Sequence, residues 1–235
     1  MMVLKKKDFI EIEFTGKLKD GKIFDSNVKE NLEKLHEGHN HPVETKPFIF
    51  PLGEGMFVKG VDKFLIGKEI GEYEISLNSE EAFGKRDPKA IRMIPLKNFK
   101  DHNINPIPGS VFDFDGKLAK ILTVSSGRVI ADFNSPLAGK NVEYQIKILR
   151  KVDDMNEKVK ALNDFFLRQD FKFNIEGKKL TMNVPKGFGQ FADLFKEKYK
   201  EILGLELELN EFESPAPEKK KENLKDKRNQ TSQNK

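Results

Sequence analysis

The chain has 235 residues, 37% of them apolar, with 42 Lys and Arg against 38 Asp and Glu and a net charge of +4. That length carries one or two domains with a real core plus small appended units, and so modest a charge excess, partly held in the last twenty residues, gives no sign of a nucleic-acid partner. Cysteine is absent, which excludes disulfides and thiol catalysis.

No stretch approaches the ~20 apolar residues of a membrane span. Met1 to Asp8 is basic and lacks an apolar segment of signal-peptide length, so a cytoplasmic protein without membrane contact is expected. Charged residues make up 34% of the chain, mostly Lys and Glu, a bias that suits a thermophile.

Ile10, Ile12 and Phe14 alternate along the first strand. Asp20-Gly21 is a hairpin turn signal, and Ile23-Phe24 opens the return strand. Val28 to Glu44 is polar and reads as a surface connection with one helical turn. Phe48, Phe50 and Leu52 alternate as a further strand ended by Gly53. Phe57, Val61, Phe64 and Leu65 are spaced for a helix from Met56 to Leu65, stopped by Gly67. Glu72 to Leu77 alternates again. This pattern fits short antiparallel strands cupped around one short helix.

Arg86 to Ile130 has its own character. Strands at Val111–Phe114, Ala119–Val124 and Arg128–Phe133 are joined by the tight turns Asp115-Gly116 and Ser125-Ser126-Gly127. Ile91, Met93, Ile94, Leu96 and Phe99 form an irregular apolar run ahead of them. The chain leaves the first domain after Gly84 and returns at Asp132. Such an insertion is tolerable because loop closure costs grow slowly with length.

Beyond Val152, the spacing of Val159, Leu162, Phe165 and Phe166 predicts a helix over 157–168. Phe171, Phe173 and Ile175, then Leu180, Met182 and Val184, alternate as a hairpin about Glu176-Gly177. Phe191, Leu194, Phe195, Tyr199 and Ile202 predict one helix over 188–203, capped by Gly204. Leu205, Leu207 and Leu209 alternate as a last strand, and from Ser214 the Pro-, Lys-, Asn- and Gln-rich chain is expected to be disordered.

Several of these segments carry one signature. Phe14-Thr15-Gly16, Asp20 to Ser26, Pro47 to Gly53 and Glu81-Ala82-Phe83-Gly84 are followed by Asp132 to Lys140 and Val142 to Ile146. In this order they resemble the FKBP-type peptidyl-prolyl isomerases, and the segment between them resembles the insert-in-flap domain of SlyD-type members. The resemblance covers about Lys7 to Val152. It implies an antiparallel sheet wrapped on a short helix (1–85 plus 131–152) with an inserted mainly-β flap domain (86–130). With the small α+β C-terminal domain (153–213) and the tail (214–235) predicted from spacing and composition, the expected fold class is α+β.

The resemblance also implies a proline pocket formed by Phe14, Phe24, Asp25, Phe48, Phe57, Val58, Val61, Phe83 and Tyr144. The Val58 N–H would bind a substrate carbonyl, Asp25 would lie at the pocket edge, and Phe83 would close over the proline ring. Many members carry a tyrosine where this chain has Phe14, so Asp25 must find another partner or stay solvated. Small eukaryotic members carry a tryptophan floor where this chain has Val61. No cofactor and no metal is implied by this chemistry.

The expected activity is rotation of Xaa-Pro bonds with coupled chaperone action on unfolded or nascent proline-containing chains. Ile91, Met93, Ile94, Leu96 and Phe99 are the candidate gripping groups, or else the insert's own core. Rival readings are a catalytically weak holdase and an assembly role docked on a machine such as the ribosome. A C-terminal unit of about 60 residues has a marginal core and needs a partner surface, either the first domain or a second copy. The terminal strand Leu205 to Leu209 favours a homodimer, with Phe188, Phe191 and Phe195 as contacts. His36, His39 and His41 lie close together. They read as a solvated loop rather than a Ni or Zn site, and Lys219-Lys220-Lys221 as solvated.

Overall fold

The structure, a computed structural model, describes residues 3–35, 45–46 and 48–213. His36, His39, His41, the lysine run and the tail from 214 lie outside the described residues. The rest divides into two compact units between Asp170 and Phe171.

The fold is α+β. In the first unit β1 (Phe9–Leu18) pairs over its whole length with β9 (Val142–Val152), from Phe9 opposite Val152 to Leu18 opposite Val142. The other edge of β1 is shared. β2 (Ile23–Ser26) lies against Thr15 to Lys17, and β3 (Phe48–Pro51) against Phe9 to Ile12. β4 (Glu72–Leu77) takes the far side of β9, and all these pairs are antiparallel. β9 alternates cleanly: Val142, Tyr144, Ile146 and Ile148 are buried, and the residues between them are exposed. That is the pattern of a sheet with one face in the core and one in water.

The inner face packs on α2 (Lys59–Leu65), whose Val61 and Leu65 are fully buried. This helix begins at Lys59, not at Met56 as its spacing predicts. Gly53 and Gly55 adopt left-handed conformations, and Val58 is extended. The segment 53–58 is therefore a loop that delivers Phe57. Between β2 and β3, α1 (Lys29–Leu35) is longer than the single turn expected and buries no residue.

The insert has four strands where three were expected: β5 (Ile91–Pro95), β6 (Val111–Phe114), β7 (Lys117–Ser125) and β8 (Arg128–Asp132). Their order is β5-β8-β7-β6. α3 (Leu96–Asp101) drives Phe99 into a core with Ala119, Ile121, Val129 and Ala131. β5 escaped the sequence reading because it is an edge whose Ile91 and Met93 face solvent.

α4 (Met155–Leu162), expected to open the C-terminal unit, belongs to the first unit. Arg150 bridges Glu11 of β1 and Glu157 of α4 at 2.6 and 2.8 Å, and Val159 and Leu162 are fully buried. A π turn, Asn163–Leu167, continues α4 until Arg168 takes a left-handed conformation.

The second unit is a three-stranded sheet, order β10-β11-β12. β10 (Phe173–Glu176) and β11 (Lys179–Pro185) form the expected hairpin. β12 (Glu206–Phe212) runs parallel to β11 over seven residue pairs. The single helix predicted over 188–203 is two, α5 (Gly189–Asp193) and α6 (Lys196–Leu203). Tyr199 and Ile202 are buried, but Leu194, at the break, is 73% exposed.

Candidate functional site

One end of the first sheet gathers aromatic rings from five separate segments. Phe14 comes from β1, Phe24 from β2, Phe48 from β3, Phe57 from the loop before α2 and Tyr144 from β9. Phe57 is the hub. Its ring lies 4.9 Å from Phe14, 5.2 Å from Phe48, 5.5 Å from Phe50 and 5.5 Å from Tyr144, centroid to centroid. Phe24 meets Tyr144 edge-on at 5.8 Å and Phe83 edge-on at 5.6 Å. Edge-to-face packing at such distances is favourable. Phe50, which the sequence reading left out of the pocket, is buried behind Phe48 at 5.1 Å. Its place in the strand alternation was the available signal.

The expected pocket residues thus divide by depth. Tyr144 and Val61 are fully buried, and Phe14 is nearly so. Phe24, Phe48, Phe57, Val58 and Phe83 are half-buried, and Asp25 is exposed at the rim. Val58 is the N-cap residue of α2, so its N–H has no acceptor within the helix.

A bulge explains how Phe24 and Asp25, neighbours in sequence, both serve the site. Gly16 pairs with Asp25 and Lys17 with Ile23, which leaves Phe24 as the extra residue on β2. The Phe24 ring then lies over Gly16. A Cβ at Gly16 would stand 2.6 Å from Phe24 Cζ and 3.1 Å from Tyr144 Cε1.

Three carboxyl and hydroxyl groups are perturbed here. Loss of water around Asp25 raises its pKa, against a hydrogen bond from the Ser26 N–H. Burial holds the Tyr144 hydroxyl far above the usual phenol range, and the Asp25 charge adds to this. Asp62 of α2 is buried, and its carboxylate accepts the N–H groups of Gly53 at 2.6 Å and Gly55 at 3.2 Å. Burial raises its pKa, opposed by those two bonds and by Lys6. Asp62 thereby ties α2 to the loop that carries Phe57 and Val58, a role absent from the sequence reading.

Of the five apolar candidates in the insert, Met93 is 60% and Ile91 38% exposed. Ile94 and Leu96 are half-buried against the core, and Phe99 is a core residue at 4% exposure. Phe99 is therefore removed from the exposed set, though with Ile94 it lines a groove of about 430 Å³ that includes Ile104, Phe112 and Phe114. Among the described residues no His, Cys, Asp and Glu cluster is placed to hold a metal, and no helix is long and apolar enough to cross a membrane.

Residues 2–98 match the profile of the FKBP-type peptidyl-prolyl cis-trans isomerases, and residues 92–137 match that of the FKBP26 IF domain. A short-type peptidyl-prolyl cis-trans isomerase of Methanocaldococcus jannaschii is 31% identical over 147 residues, 62% of this chain and 92% of the relative. The FKBP-type 16 kDa isomerase of Escherichia coli is 28% identical over 144 residues, 59% of this chain and 87% of the relative. The FKBP-type isomerase SlyD of Helicobacter pylori is 28% identical over 111 residues, 46% of this chain and 60% of the relative.

Proposed function

This chain belongs to the FKBP-type peptidyl-prolyl cis-trans isomerase family, and we propose that it rotates Xaa-Pro bonds in the aromatic pocket while its insert holds the surrounding unfolded chain. Amide resonance sets a barrier of ~18–20 kcal/mol to rotation, yet the two Xaa-Pro isomers differ by only ~0.5–1 kcal/mol. Catalysis therefore needs no nucleophile and no metal. It needs a site that binds the twisted imide better than either planar form. The twisted imide has lost resonance and carries less charge separation, so a water-poor apolar wall favours it. The single observation that carries the reading is the convergence of Phe14, Phe24, Phe48, Phe57, Phe83 and Tyr144, with Asp25 at the rim. Phe83 closes over the proline ring and the Val58 N–H holds a carbonyl.

Exchange NMR on a proline peptide tests it. Cis/trans exchange should be accelerated by the wild type, and Phe83→Ala and Asp25→Ala should each slow it. Added chelator should have no effect. Exchange no faster than in buffer would turn the reading into that of a holdase.

The chaperone part rests on the exposed Ile91 and Met93 and on the groove beside Phe99. A client tethered there presents its prolines to the pocket at raised effective concentration. Replacing residues 86–130 by a short turn should reduce peptide isomerisation modestly and refolding of a proline-limited protein severely. A cytoplasmic setting, with nascent or unfolded chains as clients, goes with the absence of cysteine.

The second unit is read as a homodimerisation module. β12 is an edge strand of its sheet, and edges invite pairing. Phe188, Phe191 and Phe195 form a run of rings 5.3 and 5.4 Å apart, beside the exposed Leu194. Paired copies would offer two pockets to one client.

A further inference from the structure

The two chain crossings between the isomerase sheet and the insert are fastened to each other. The outgoing crossing runs from Gly84 to Ala90, and the returning one from Asp132 to Gly139. The Arg86 guanidinium pairs with the Asp132 carboxylate, which is only 6% exposed. The other oxygen of Asp132 accepts both the N–H of Asn134 at 3.0 Å and its side-chain amide at 2.7 Å. Asn134 then grips the outgoing backbone with both ends of its amide. Its Oδ1 accepts the Asp87 N–H at 2.8 Å, and its Nδ2 donates to the Asp87 carbonyl at 3.0 Å.

Backbone bonds close the two ends of this stem. Phe133 N–H donates to Ala90 O at 3.0 Å on the insert side, and Gly139 N–H donates to Gly84 O at 2.8 Å on the pocket side. Gly139 has a left-handed backbone, and the Arg86 stem lies against it, 3.1 Å from where a Cβ would stand. Burial by itself would raise the Asp132 pKa. The bonds from Asn134 and the charge of Arg86 outweigh burial and hold it below the usual range. Gly84 follows Phe83 directly, so the pocket end of the stem begins beside the ring that packs on Phe24.

We infer that Asp132, with Arg86 and Asn134, is a positioning device: it makes the two crossings one rigid stem and fixes the insert at a set reach and angle from the proline pocket. This rests on the reading that the insert holds the chain whose prolines the pocket turns. Two peptide linkers without such bonds would act as hinges. The insert would then sample many orientations, and its effective concentration at the pocket would fall. The side-chain bonds of Asp132 run to Arg86 and Asn134 in the stem, so its contribution is to long clients and not to the rotation itself.

The test uses the full chain and three readouts: residual dipolar couplings of backbone amides, isomerisation of a short proline peptide, and refolding of a proline-limited protein. In the wild type the amides of the isomerase sheet and of the insert should fit one alignment tensor. Asp132→Asn should split them into two tensors and cut the refolding rate at least fivefold, with peptide isomerisation changed less than twofold. Asn134→Ala is a milder variant that removes the grip on Asp87 and one bond to Asp132 but leaves the Arg86 pair, and it should act in the same direction. It serves as the reading if Asp132→Asn fails to fold. The exchanged pair Arg86→Asp with Asp132→Arg should restore part of the refolding rate. Two tensors already in the wild type, or one tensor kept in both single variants, would overturn the inference. A wild type that speeds peptide exchange but not refolding would overturn the holding role of the insert, while the tensors still decide the stem.

Discussion

Asp25 and Tyr144 face each other across Gly16, which pairs with Asp25 on one side and Tyr144 on the other. Directly paired residues share a face of the sheet, and the Phe24 ring fills the space that the glycine leaves between them. The charge of Asp25 is felt by the Tyr144 hydroxyl. Phe14 lacks the hydroxyl that many family members direct at this aspartate, and here a hydroxyl reaches the same corner from β9. Among the converging rings Tyr144 alone carries one.

Tyr144→Phe separates hydroxyl from ring. The fold should keep its stability to within ~1 kcal/mol, since no described residue hydrogen-bonds this hydroxyl. Peptide isomerisation should fall about three- to tenfold, the worth of one neutral hydrogen bond. Tyr144→Ala should also cost ~3–5 kcal/mol of stability, because it empties the space of a fully buried ring. Exchange NMR and chemical denaturation measure the two effects, and unchanged isomerisation in Tyr144→Phe would make the hydroxyl a bystander.

Gly16→Ala should disable the pocket without touching a pocket side chain. The new methyl would collide with the Phe24 ring at 2.6 Å and crowd Tyr144 at 3.1 Å. Overpacking of this kind costs ~1–3 kcal/mol. The rings should be displaced, with altered aromatic NMR shifts for Phe24 and at least tenfold slower isomerisation. A variant with wild-type rate and shifts would contradict the packing described here.

Asp62→Asn should weaken the loop before α2. The carboxylate accepts two backbone N–H groups, and an amide has only one oxygen to offer. A buried donor left unmatched costs ~1–3 kcal/mol. The Val58 amide resonance should shift and broaden, and kcat/KM should drop about tenfold. Loss of stability with unaltered kinetics would mean the loop holds its shape without this tie.

Asp132 sets an acid limb. Its folded pKa lies below the ordinary 3.8. A carboxyl depressed by folding contributes stability that is present above the unfolded value and lost as pH falls through the folded one. Between about pH 5 and pH 2 the wild type should therefore lose more stability than Asp132→Asn. Denaturation midpoints at several pH values give the comparison, and parallel curves would deny the pair its energetic role.

Leu194→Glu and Phe191→Glu should dissociate the proposed dimer. Leu194 is 73% exposed, so a charge there should cost the monomer within ~0.5 kcal/mol, and Phe191→Glu should cost more because its ring packs on Phe188 and Phe195. Sedimentation equilibrium at tens of micromolar should show a dimer for the full chain and monomers for both variants. A monomeric wild type would dismiss the dimer.

Much of the sheet was legible because alternation is a local signal, as in Ile10, Ile12 and Phe14. The elements that were misjudged depend on partners far away in sequence. Helical spacing continues back to Met56, but Asp62 and two left-handed glycines keep 53–58 out of the helix. The spacing over 188–203 is equally satisfied by two helices with Leu194 between them. Ile91 and Met93 looked irregular because an edge strand need not hide either face. Phe99 could be read as a gripping group or as the insert's own core, and the sheet that decides for the core is built from residues 119–131.

The order of strands in the first sheet bears on how the protein emerges during translation. β9 sits between β1 and β4, and it is the last strand of that sheet to be made. Phe9 must wait for Val152, and Tyr144 joins the rings of Phe24 and Phe57 only then. The insert closes earlier, once Asp132 has followed Ile91, and its contacts are closer in sequence, which favours fast folding. A ribosome-bound chain would thus pass through an interval in which its insert is folded and its catalytic sheet is two unjoined halves.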